Sequence, residues 1–177
     1  MALLQIVTYP EKSLSLPSDR VDTIDDEIRQ LIEDMGETMF HESGIGLAAP
    51  QVGVNKRILV YDARVEDPSD DGSDPKIAAL INPEIIQASG SQLSENEGCL
   101  SVVDFRADVK RYEQVTVRAL DMDGNPVEFE AHGLMAVIMQ HEIDHLDGIL
   151  FIDRISTLKR AMYRKKRLKQ LKEEAAT

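Results

Sequence analysis

Residues 141 to 145 read His-Glu-Ile-Asp-His: two imidazoles four positions apart, with a carboxylate directly after the first. On a helix that spacing puts His141 and His145 on one face, so both rings reach one ion and Glu142 can touch a water held there. The group suits hydrolysis. Two neutral nitrogens fix the ion, the ion makes water acidic near neutral pH, and the carboxylate takes the proton as attack begins. The same residues also fit an amphipathic helix whose histidines merely fall on its buried side, so a third ligand decides. The zinc-protease pattern HExxHxxGxxH is matched through Gly148, but its last histidine position holds Phe151. A downstream acid would have to be Glu173 or Glu174, both in a basic terminal segment. Upstream, the candidates are Cys99, His132 and His41. A thiolate is a strong ligand for a borderline or soft metal, and the ion itself lowers the thiol pKa. A lone cysteine is otherwise an ordinary small apolar residue.

These side chains need elements to hold them. Residues 133 to 146 (GLMAVIMQHEIDHL) predict a strongly apolar helix ended by Gly148. Residues 23 to 40 space Ile24, Ile28, Leu31, Ile32 and Met35 as a second helix, with acids near its start. The stretch from Ser43 to Gly53 is too rich in glycine for a helix interior. Strands are expected over 57 to 62 and 77 to 81, with another over 84 to 94. The acidic loop between the first two, 64 to 76, is expected to be exposed and mobile. Residues 112 to 131 predict a hairpin, with Val115 and Val117 facing Val127 and Phe129 across a turn at Asp123-Gly124. Strands grouped in the middle, with helices early and late, predict an α+β fold: mixed or antiparallel strands around a central HExxH-bearing helix.

Composition bounds the partners. The chain has 177 residues and a formal charge of −12, a balance that argues against DNA or an anionic membrane as a partner of the whole surface. No run approaches the roughly 20 apolar residues of a membrane span. The N-terminal stretch meets Pro10, Glu11 and Lys12 before any signal-peptide core, so export is not expected. One cysteine suits a reducing cytoplasm. The charge is unevenly spread: residues 153 to 177 carry +6, leaving −18 for positions 1 to 152. Lys159, Arg160, Arg164, Lys165, Lys166, Arg167, Lys169 and Lys172 lie among helix formers, and a C-terminal helix is expected. The expected organisation is one domain over 1–155 with a basic helical extension over 156–177. That extension is either a solvated helix drawn to an acidic body or a docking surface.

Three motifs in order, GIGLAAPQ at 44–51, EGCLS at 97–101 and QHEIDH at 140–145, resemble the signatures of the peptide deformylase family, and the likeness spans Ile6 to Ile155. The resemblance implies removal of the formyl group from the N-terminal formylmethionine of new polypeptides. It implies one divalent ion on Cys99, His141 and His145, natively Fe2+, with Zn2+, Ni2+ or Co2+ able to take the same site. Two histidines and a cysteine suit zinc as well as iron. Glu142 would be the general base, and the Gln51 side-chain amide and Leu100 N–H would stabilise the oxyanion. Gly44 and Gly46 would let backbone approach substrate. Leu134, Val137 and Ile138, with Ile45, would line a slot for the methionine side chain, while Met135 and Met139 face the core. Arg106 matches an arginine near the pocket mouth, Glu97 and Arg111 are expected to brace the cysteine loop, and His41 and His132 have no role. One departure stands out: Val103 occupies the place of a usual proline after the cysteine motif. Some family members dock on the ribosome through a C-terminal helix, a role the basic tail would fit. Two other readings remain, a zinc endopeptidase and an RNA-binding factor with a structural metal. Structural zinc usually has four protein ligands, and three are visible.

Overall fold

The structure is a computed structural model and describes residues 2–67, 69 and 74–177. The apolar run predicted as a helix forms α2 (Gly133–Leu146), in which every residue from Ile138 to Leu146 is buried. A helix apolar on nearly all sides must be covered on all sides. One cover is an antiparallel sheet of β1 (Gly46–Ala48), β2 (Ile58–Asp62), β3 (Ile77–Ser89), β6 (Gln114–Leu120) and β7 (Pro126–His132), in that spatial order. Its strands alternate between two cores. Leu59, Tyr61, Leu80, Val115 and Val117 pack with α2, whereas Ile58, Val60, Ala79 and Ile81 pack with α1 (Asp26–His41). The fold is therefore α+β, with β2 buried along its whole length between two helices. Helix α1 starts where Asp25 accepts the Ile28 N–H at 2.9 Å, satisfying one of the free amides of the first turn.

The second cover is a two-stranded ribbon, β4 (Gln92–Cys99) with β5 (Val102–Arg111). It forms a third core with Phe151 and Tyr163. The C-terminal residues form helix α3 (Thr157–Ala175), whose N-cap Ser156 accepts the Lys159 N–H. Tyr163 and Arg167 are its buried side chains.

The predicted hairpin is present as β6 and β7, and Asp121 holds its turn by accepting the Asp123 and Asn125 N–H groups. The strands expected at 77–81 and 84–94 are placed differently. Residues 77 to 89 form one strand, β3, and Gln92 opens the next. Asn82-Pro83 suggests a break, but the strand carries it as a bulge, with Asn82 at φ 53°. The Asn82 side chain makes that conformation tolerable by pairing with both the N–H and the carbonyl of Val21, at 2.8 and 2.9 Å. Within 64–76, the first residues continue a 3₁₀ turn, Ala63–Glu66, while 68 and 70–73 lie outside the described residues.

The C-terminus of α2 sets the direction in which the ligand helix enters the core. Gly148, at φ 74°, donates to the His145 carbonyl at 3.1 Å, and Ile149 donates to Asp144 at 2.8 Å. This pairing satisfies carbonyls that the helix end leaves free. A Cβ on Gly148 would sit 2.7 Å from the Ser15 backbone. Left-handed strain and the backbone clash act together, so Gly148→Ala should cost about 2–4 kcal/mol, read from urea denaturation.

Candidate metal centre

Cys99 ends β4 and faces the His141–His145 side of α2, one helical turn of which presents both rings. Donor atoms of Cys99, His141 and His145 all lie within 4.8 Å of one another, with Cys99 Sγ 3.3 Å from His145 Nε2. Bonds of about 2.0–2.3 Å to one ion fit that spacing after small adjustments. Among the described residues this is the cluster that could hold a metal. His41 and His132 are exposed and lie beside Glu42 and Glu130 instead.

His141 is oriented from behind, whereas His145 Nδ1 is buried without a hydrogen-bond partner. His141 Nδ1 is 2.7 Å from Glu97 Oε1, which leaves Nε2 for an ion. Glu97 pairs with Arg111, as expected from sequence, and Arg111 continues to Asp144 at 2.7 Å. Arg154 closes the chain on both Asp144 oxygens at 2.6 Å. Burial pushes the Glu97 carboxyl up, but hydrogen bonds from His141 and Arg111 outweigh it and hold the group at about 2. Asp144 and Arg154 were missed in the sequence reading. Their signal was a second acid inside the apolar helix, which cannot stay buried without a cation. Phe151, in the place of a third histidine, stacks on the His141 ring with centroids 6.2 Å apart.

A cleft of about 950 Å³ opens over these groups. Gly44, Ile45, Gly46, Leu134, Val137 and Ile138 all line it, as do Gln51, Leu100, Cys99 and Glu142. Its apolar rim is solvent-facing, with Ile45 45% and Leu134 57% exposed, while Ile138 is buried. Met139 is fully buried and Met135 packs on the sheet core. Arg106 crosses the mouth over Gly98 and donates to the Asn96 carbonyl at 3.3 Å.

Gln51 is buried, and its orientation follows from the Ala48 N–H, which donates to Oε1 at 2.9 Å. The amide NH2 must then point the other way, toward Ser101 Oγ at 3.3 Å and Cys99 Sγ at 3.5 Å. Glu142 is 5% exposed, and its Oε2 has no hydrogen-bond partner. Burial pushes its carboxyl up to about 7. A buried oxygen left without a partner beside a cleft is costly in a resting fold and suits a group that handles a proton.

Residues 3–161 match the sequence model of the family described as polypeptide deformylase. The chain belongs to that family. It is 48% identical over 166 residues to the peptide deformylase of Thermodesulfovibrio yellowstonii, covering 94% of this chain and 97% of that one. It is also 48% identical over 175 residues to the Pseudomonas aeruginosa peptide deformylase, covering 99% and 100%. Among solved structures, a Legionella pneumophila peptide deformylase superposes with TM-score 0.86 at 41% identity, covering 99% of each chain. An Ehrlichia chaffeensis peptide deformylase in complex with actinonin gives TM-score 0.86 at 41% identity, over 96% and 98%. The family removes the N-formyl group from nascent polypeptides and uses a divalent metal, for which this chain offers the Cys99, His141 and His145 donors.

Gly46 has a tighter constraint than access for substrate. A Cβ there would lie 2.5 Å from Glu142 Oε1 and 3.1 Å from its Cγ. The carboxylate end can swing away at small cost in stability but not without leaving its place. Gly46→Ala should therefore lower formate release about 10–100-fold while shifting the urea midpoint little.

Proposed function

We propose that this deformylase holds one ion on Cys99, His141 and His145, ferrous in the cell, and that Glu142 moves the proton during hydrolysis of formylmethionyl peptides. Glu142 carries the reading: its buried Oε2 is unpartnered, and the residue lines the cleft beside the three donors. When bound, a divalent ion supplies Lewis-acid activation of water near neutral pH. Glu142 accepts the water proton on its carboxylate and delivers it to the departing methionine nitrogen, so formate and a free amine result. As charge builds on the formyl oxygen, the Gln51 Nε2 and the Leu100 N–H donate to it. Gln51 enters that step already oriented by Ala48. Ile45, Leu134, Val137 and Ile138 receive the methionine side chain, and backbone at Gly44 and Gly46 lies alongside the peptide. Iron rather than zinc follows from the family resemblance, since this donor set accepts Zn2+, Ni2+ or Co2+ as well. The single cysteine is consistent with a cytoplasmic setting, and no helix among the described residues is long and apolar enough to cross a membrane.

Glu142→Gln, purified and assayed without oxygen, should lose about 10²–10⁴-fold of its deformylation of formyl-Met-Ala while keeping one ion per chain. Activity within tenfold of the parent would remove Glu142 from the role.

The outward face of α3 supports a second partner, the ribosome. Arg164, Lys165, Lys166 and Lys172 are exposed along it, together with Leu158 and Met162. Deleting the helix would also strip Tyr163 from the third core, so charge reversal is the cleaner test. Lys165→Glu with Lys166→Glu should weaken ribosome binding about tenfold at low salt and flatten its salt dependence; unchanged affinity would reject the docking role.

A further inference from the structure

The inner face of α3 reaches the back of the candidate site. The Tyr163 hydroxyl donates to the Val103 carbonyl at 3.2 Å, and the Tyr163 ring lies against Phe105 and Tyr9, with centroids 4.7 and 5.7 Å apart. Arg167, only 6% exposed, donates from Nε to the Tyr9 carbonyl at 3.3 Å. The segment it grips is bonded to the site at two points. The Tyr9 N–H donates to the Ser101 carbonyl at 2.8 Å, and the Val7 N–H donates to the Gln51 carbonyl at 2.7 Å. Ser101 in turn receives the Gln51 side-chain amide on its hydroxyl. Residues 99 to 104 contain no proline, so nothing in their own covalent structure stiffens the turn between β4 and β5.

We infer that Tyr163 and Arg167 are positioning residues for deformylation, holding the 99–104 turn and the 7–9 segment from behind and thereby aiming the Gln51 and Leu100 donors. This rests on the proposed roles of those two donors. Burial raises the Tyr163 hydroxyl to about 12, so it stays a donor throughout the working pH range. The Arg167 guanidinium satisfies the carbonyl of a half-buried residue. A shift of about 1 Å in an oxyanion donor is enough to lower turnover by one to two orders of magnitude.

The test uses Tyr163→Phe, which keeps the ring packing, Arg167→Met, which keeps the stem, and the two combined. All are assayed well below their melting transitions. The combined variant should lose about tenfold in kcat on formyl-Met-Ala with KM within twofold, because the donors act on charge that develops after binding. Amide exchange should speed up at least tenfold at residues 100–104 while α2 keeps its protection. Arg167→Lys, which retains a donor, should recover most of the Arg167→Met loss. In a Gln51→Ala background the same pair of substitutions should cost less than half as much, since both act through one group. Unchanged kcat, unchanged exchange at 100–104, or a full loss in the Gln51→Ala background would each overturn the inference. Failure of the deformylase reading itself would show separately, as a parent protein without formate release or a Glu142→Gln variant that keeps it.

Discussion

A helix buried on all sides cannot carry ionisable groups unless each is matched, and α2 carries four: His141, Glu142, Asp144 and His145. The surrounding architecture can be understood as the set of matches. Asp144 points to Arg111 and Arg154, while His141 turns to Glu97. Cys99 closes on His145. Two buried atoms of these groups stay unmatched, Glu142 Oε2 and His145 Nδ1, and of these two residues Glu142 lines the cleft. The fold gives His141 and Asp144 charged partners and tolerates one unmatched atom on each of the other two groups.

Those matches dictate where the other elements go. The β4–β5 ribbon must lie close to α2, because it supplies Glu97, Cys99 and Arg111. Strand β1 must approach the same helix closely enough that residue 46 has no room for a side chain. Helix α3 then covers the far side of the ribbon through Tyr163, keeps Arg167 on the same inner face and presents its other basic residues outward. One helix thus combines an inner contact made by Tyr163 and Arg167 with an outer surface rich in lysine and arginine. The tail is held to the body by packing at Tyr163 rather than by charge attraction alone.

Much of the architecture was legible because it is periodic. Five apolar residues at helical spacing announced α1, an uninterrupted apolar run announced α2, and alternating valines announced the β6–β7 hairpin. The β4–β5 ribbon was less visible. In β5, Val103, Phe105, Ala107 and Val109 do alternate with exposed residues, but the charges between them obscured the pattern. The long strand β3 was split in the reading at Asn82-Pro83, a sound local turn signal. It was overridden by two hydrogen bonds to Val21, which lies 61 residues away.

The chemistry divides along the same line. The pairing of His141 with His145, and of both with Glu142, follows from residues four apart or fewer, since helical geometry alone brings them to one face. The third donor did not follow in that way: residue types left Cys99, His132 and His41 as candidates, and family resemblance chose among them. Placing the Cys99 sulfur beside a ring 46 positions later took the packed fold. So did the Arg111–Asp144 link, the fit of Gly46 against Glu142, and the reach of Tyr163 to Val103. Contacts of that range leave no period in the chain, because they depend on how separately formed elements are pressed together by the burial of their apolar faces.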